Sequence, residues 1–284
     1  MKRVAVVGPG AIGATVASLV GEVALFGRTA VERLTVEREG GPTTVVEGPV
    51  ITDPEAVPWR ADIVLLAVKA HQTAAAAPFL RALSGDGTVV VALQNGVEQR
   101  ELVGPHAPGA TVLPAVVWFP AERLAANHVL LRGDPSITLP DEPAAREVAP
   151  LLGAEVSADF DVLAWHKLAI NAAAAVMVLS GRRAGVFRRP DVGALARALT
   201  AECFAVARAH GVAVPDGAVD EIVEHVIALP EDLGTSMLFD REAGRSLEWD
   251  ARNGVIARLG ARHGIPTPVS DVLVPLLSAA SDAP

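Results

Sequence analysis

Apolar positions in the first half of the chain fall into short unbroken runs at residues 4–7, 23–26, 63–68, 89–93 and 111–117, each bounded by Gly, Pro or Asp. Runs without polar alternation suit strands covered on both faces, as in a parallel sheet. Between them, residues 11–20 and 73–83 are small-residue helical stretches, so strand and helix alternate as in a doubly wound α/β domain. Residues around 33–51 and 123–139 read as hairpins with glycine turns, decorating the sheet's edges. From about Phe160 the pattern changes to long helical stretches at 163–179, 190–210, 216–228 and 247–263, and strand signals almost vanish after Val156. The boundary falls near 158–161. It separates an α/β N-terminal domain, residues 1–160, from an all-α C-terminal domain, residues 161–284, with the cleft between them as the expected site.

Composition narrows the chemistry. Hydrophobic residues make up 51% and charged residues 20% of the 284, which argues for a globular chain without long disordered tracts. A formal net charge of -9 argues against nucleic acid as a partner. Cys203 is the single cysteine, so no intrachain disulfide, CxxC pair or cysteine-rich zinc site can form, no metal is expected, and a reducing cytoplasm fits. The absence of tyrosine removes every reductase mechanism that relies on a Tyr hydroxyl as proton donor. Glycines and prolines break the uncharged runs at 4–21 and 102–121, so neither an export signal nor a membrane segment is expected.

Gly8-Pro9-Gly10-Ala11-Ile12-Gly13 follows the first strand and opens the first helix, the setting in which G-x-G-x-x-G binds a dinucleotide. Gly8 permits a tight turn, Gly10 lets backbone approach a pyrophosphate, and Gly13 lets helix and strand pack closely, as in a Rossmann-type fold. About 20 residues on, where an NAD site places an acidic residue for the ribose hydroxyls, stands Arg28. A guanidinium cannot accept those hydroxyl protons but holds a 2′-phosphate through paired charge-assisted bonds, so NADP(H) is the expected cofactor.

Rare residues mark the remaining candidates. Only three lysines occur, Lys2, Lys69 and Lys167, against 21 arginines, so an internal lysine calls for a reason. Lys69 and Asn95 end two predicted strands, at the carboxyl edge where such sheets bind ligands. Lys167 and Asn171 lie four apart on the first helix of the second domain, hence on one face. Ser236 and Glu248 complete the set, although a helix cap suits Ser236, and a carboxylate favouring the positive end of a helix suits Glu248, equally well. His71 and His166 adjoin the two lysines in sequence and so point away from them.

These pieces, in order, resemble the ketopantoate reductase family: the glycine loop, Arg28, Val68-Lys69-Ala70, Leu93-Gln94-Asn95-Gly96, Lys167 through Asn171, Thr235-Ser236-Met237 with Asp240, and Gly244-Arg245-Ser246-Leu247-Glu248. Asn253-Gly254 and the His263 to Pro268 segment look like the family's closing stretch. The resemblance implies NADPH-dependent reduction of the C2 carbonyl of a 2-oxo acid, 2-dehydropantoate to (R)-pantoate, in the route to pantothenate and coenzyme A. By it, Lys167 is the general acid, Glu248 orients Lys167 or a substrate hydroxyl, Asn171 and Ser236 contact substrate, and Lys69 and Asn95 line both nicotinamide and substrate. The family pattern K-x-x-x-N-x-x-x-N is broken by Ala175, which leaves open a paralogue acting on another 2-oxo acid. A non-catalytic NADPH-binding sensor is the other alternative, against which both internal lysines and Glu248 weigh. The apolar helices of the second domain are compatible with a homodimer.

Overall fold

The computed structural model describes residues 2–282. The chain divides into two compact units, one ending at Phe160 and the other starting at Asp161. In chain order the first unit contains β1 (Val4–Val7), α1 (Ala11–Val20), β2 (Ala24–Phe26), β3 (Arg33–Arg38), β4 (Thr43–Glu47), β5 (Val50–Ile51), β6 (Ile63–Leu66), α2 (Thr73–Leu83), β7 (Val89–Ala92) and α3 (Gln99–Val103). It continues through β8 (Thr111–Pro114), β9 (Val116–Val117), β10 (Ala121–Ala125), β11 (His128–Leu131), β12 (Ile137–Pro140), α4 (Pro143–Leu152) and β13 (Glu155–Ser157).

A six-stranded, wholly parallel sheet of order β5-β2-β1-β6-β7-β8 forms its centre. Every residue of β1, β6 and β7 is buried, as the unbroken apolar runs require. Alternate side chains serve opposite faces. Val6, Leu65 and Val91 pack with Ala14 and Ala17 of α1, whereas Val7, Leu66 and Ala92 pack with Phe79, Leu80 and Leu83 of α2.

Two expectations need correction. The segments around 33–51 and 123–139 do not decorate the edges of this sheet, apart from the short β5: they build a separate sheet of order β10-β11-β3-β4, in which β11 pairs in parallel with β3. Leu34, Val36, Val46, Val129 and Leu131 form its apolar face and join α1 in one core, so the alternating pattern answers to a helix rather than to a sheet edge. The run 111–117 is also two strands, because β8 ends the main sheet at Pro114 and β9 pairs antiparallel with β12 in a third sheet.

The second unit is helical: α5 (Phe160–Ala173), α6 (Ala175–Ser180), α7 (Pro190–Ala209), α8 (Ala218–Ala228), α9 (Ser236–Glu242), α10 (Val255–His263) and α11 (Pro268–Ser281). Residues Phe160–Ser180, not suspected from the sequence, are long and apolar enough to cross a membrane, but two thirds of that stretch is buried as a core helix. The expected helix at 247–263 starts late, at Val255, preceded by a π-helical turn over Asp250–Gly254. Neither α9 nor α11 is expected from periodicity. α11 starts on a proline, whose missing N–H costs nothing in a first turn, and Glu202 of α7 serves the first-turn donors that follow. The Glu202 carboxylate accepts from the Val269 and Ser270 amides at 2.7 and 2.9 Å and from Ser270 Oγ at 2.7 Å. Glu202→Ala should therefore lower the unfolding free energy by about 2–3 kcal/mol, measured by urea denaturation, with Glu202→Gln losing less; an unchanged midpoint would refute the capping role.

Candidate active site

In the first unit, the strand order reverses between β1 and β6, so the loops after these strands flank the switch point where open parallel sheets bind ligands. The glycine loop leaves β1 with the Gly8 amide bonded to Phe26 O at 2.8 Å and the Gly10 amide to Gly8 O at 2.8 Å. Gly8 has φ +89°, and a Cβ there would lie 2.5 Å from Val68 Cγ1. A Cβ on Gly13 would lie 2.2 Å from Gly8 O, so helix and loop touch backbone to backbone. At Gly10 nothing lies within 4 Å of the Cβ position, and no side chain caps α1. Open space beside uncommitted helix-end N–H groups fits a dinucleotide's pyrophosphate. Pro9, Ala11 and Ile12 complete the loop, with Pro9 packed over Gly27. Arg28, just past β2, is exposed, and no acidic side chain takes its place.

Lys69 and Asn95, both half-buried, follow β6 and β7. What fixes their loops was not singled out from the sequence: Gln94 Nε2 donates to Val68 O at 3.0 Å and to Thr73 Oγ1 at 2.9 Å, tying the two loops together. Gln99 Nε2 donates to the Gln94 and Gly96 carbonyls at 3.0 and 2.7 Å, pinning the Asn95-Gly96 turn. Their signal was their position flanking Asn95.

In the second unit, Lys167 and Asn171 lie on α5, with Asn171 buried and Lys167 half-buried. Thr235, not Ser236, caps α9, its hydroxyl accepting from the Leu238 amide at 3.3 Å. Ser236 Oγ instead accepts from Arg252 Nη1 at 3.4 Å, and Arg252 Nη2 donates to Asn171 Oδ1 at 2.7 Å. Arg252 thus joins two of the expected site residues, Asn171 and Ser236, and its charge also acts on Lys167. The sequence reading missed it, since one arginine among 21 carries no signal of its own. Glu248 precedes the π-helical turn, and its charge, with that of Asp240, supports the Arg252 cation against the burial that pulls its pKa down.

The Lys167 ammonium is disfavoured first by burial and then by repulsion from Arg252, which together bring its pKa from 10.5 to about 8. A donor poised there is protonated at neutral pH and parts readily with its proton. His166 takes no part with Lys167, its Nδ1 lying 3.0 Å from Val162 O.

A glycine loop at a sheet switch point and a tuned lysine on a helical unit define a dinucleotide-dependent oxidoreductase. The comparisons narrow this. The model for ketopantoate reductase PanE/ApbA matches residues 4–144, and that for its C-terminal part matches residues 159–281. A 2-dehydropantoate 2-reductase of Mycobacterium tuberculosis is 51% identical over 290 residues, 99% of this chain and 98% of its own. One from Caulobacter vibrioides is 39% identical, over 99% of this chain and all of its own. The dimeric ketopantoate reductase of Staphylococcus aureus superposes with a TM-score of 0.88 at 27% identity, over 98% of each chain. The chain belongs to the ketopantoate reductase family.

With only three lysines, selective carbon-13 lysine labelling should resolve Lys167 by NMR with a midpoint near pH 8. Removing the neighbouring cation in Arg252→Met should move that midpoint upward, because the repulsion that favours the neutral amine is lost. A midpoint above pH 10 in the unaltered protein would contradict the electrostatic picture.

Proposed function

We propose that the protein reduces the C2 carbonyl of 2-dehydropantoate to (R)-pantoate with NADPH, a step of pantothenate biosynthesis, and hence of the coenzyme A pathway. The observation that carries this is the tuned Lys167, in a chain 51% identical, nearly end to end, to a 2-dehydropantoate 2-reductase. NADPH, when bound, supplies the hydride. The residues to hold it are the glycine loop from Gly8 to Gly13 and Arg28, the guanidinium taking the 2′-phosphate, with Lys69 and Asn95 beside nicotinamide and substrate.

Lys167 stabilises the negative charge growing on the C2 oxygen and then gives that oxygen an Nζ proton, leaving a neutral amine that solvent reprotonates. Asn171 and Ser236 orient the substrate by hydrogen bonds, and Glu248 holds the cationic side chains in place. Both internal lysines and Glu248 favour turnover over a sensor role. The dimeric Staphylococcus aureus relative supports a homodimer, as do Val272 and Leu276, exposed apolar residues four apart on α11. A cytoplasmic setting suits the lone Cys203, buried with its thiol pKa pushed up and therefore inert.

Loss of reduced-cofactor absorbance, with NADPH against NADH and 2-dehydropantoate against other 2-oxo acids, tests the reading: NADPH and 2-dehydropantoate should give the highest kcat/KM. Lys167→Ala should cut kcat about 100- to 10,000-fold with NADPH binding unchanged, and Arg28→Ala should raise the KM for NADPH far more than that for NADH. Tight NADPH binding without turnover of any 2-oxo acid would favour the sensor instead.

A further inference from the structure

We propose that Arg252 grips the substrate's carboxylate, an inference that rests on the 2-oxo acid reading above. Among the described residues it is the one buried lysine or arginine, only 2% exposed. Its acceptors are neutral, Asn171 Oδ1 and Ser236 Oγ, and its Nε, also buried, donates to no partner. A guanidinium has five donors and keeps its charge in proteins, so this one has donors to spare and a charge that neutral acceptors do not cancel. Two carboxylates support its charge from nearby, Glu248 most and Asp240 less, the latter bonded by Arg245 Nε at 2.8 Å, but neither is a hydrogen-bond partner of the guanidinium. A buried cation so placed is costly unless an anion completes it.

The chemistry of the substrate supplies that anion at the right place. In a 2-oxo acid the carboxylate is bonded directly to the carbonyl carbon that is reduced, so a cation for it must stand beside the proton donor. Arg252 meets this condition: its charge acts on Lys167, and it bonds Asn171 and Ser236, two of the residues expected to contact substrate. The π-helical turn Asp250–Gly254 places Arg252 on this face, and such turns recur at functional sites.

The test compares 2-dehydropantoate with its primary amide, which keeps the reacting carbonyl but loses the negative charge, at pH 7, where Lys167 is protonated with or without Arg252. Wild type should favour the acid by about 100-fold or more in kcat/KM. In Arg252→Met the KM for the acid should rise about 100-fold with kcat much less affected and the amide's constants nearly unmoved, while Arg252→Lys, which keeps a charge, should recover part of the loss. An Arg252→Met enzyme that keeps its KM for the acid, or loses acid and amide equally, would mark Arg252 as a structural tie and overturn the inference. Should Arg252→Met not fold, Arg252→Lys decides: a raised KM for the acid alone supports the inference, and equal loss on both substrates overturns it. A wild type inactive on every 2-oxo acid overturns the functional reading and this inference with it, an outcome distinct from an active wild type indifferent to Arg252.

Discussion

A side chain at Gly13 would place its Cβ 2.2 Å from the carbonyl oxygen of Gly8, and the first unit is arranged around that contact. Because helix α1 sits backbone against backbone on the loop from β1, its N-terminal amides end at the carboxyl edge of the parallel sheet. The same closeness brings Ala14 and Ala17 onto Val6 and Leu65, so α1 becomes the hub to which the separate β10-β11-β3-β4 sheet adds its own apolar face. Close packing of this kind leaves no tolerance for an added methyl group. The loop's geometry and the unit's core are therefore one constraint.

The second unit solves a different problem, how to keep two cations together and mostly out of water. Burial opposes the charge on both Lys167 and Arg252, and the Arg252 charge further opposes that on Lys167, but the two groups respond differently. An ammonium comes within reach of neutral pH when it is disfavoured; a guanidinium starts so high that it stays charged. One environment thus yields an ammonium that titrates near neutral pH and a permanent cation. Glu248 and Asp240 keep the pair from being electrostatically untenable.

Much of this was legible in the sequence, and the limits follow from range. The β1, β6 and β7 runs are read correctly because burial on both faces leaves an unbroken apolar signature. The glycine loop is legible because its requirements are local, and Lys167 stands out as a candidate because lysine is rare in this chain. The β11–β3 pairing joins segments about 90 residues apart, which no local pattern records. Arg252 is hidden for the opposite reason to Lys167: in an arginine-rich chain a buried arginine looks like every other, and a π-helical turn breaks the 3.6-residue periodicity that would place it. Thr235 and Ser236 show the smallest such limit, since adjacent hydroxyls are equally plausible caps until a single hydrogen bond assigns the role.

The coupling between the two cations has a consequence for the order of events in the site. Part of the Lys167 shift comes from Arg252, so anything that neutralises the guanidinium relaxes that part. If Arg252 takes the substrate's carboxylate, the arriving anion cancels the repulsion, and the Lys167 pKa rises in the complex relative to the free enzyme. The lysine is then most firmly protonated when a carbonyl stands ready to accept its proton. Reduction removes the carbonyl but leaves the carboxylate, so the same anion keeps favouring the ammonium after transfer and helps solvent restore it. On that reading the arginine does more than hold the anion: through its charge it makes the lysine's hold on its proton depend on the charge of the substrate.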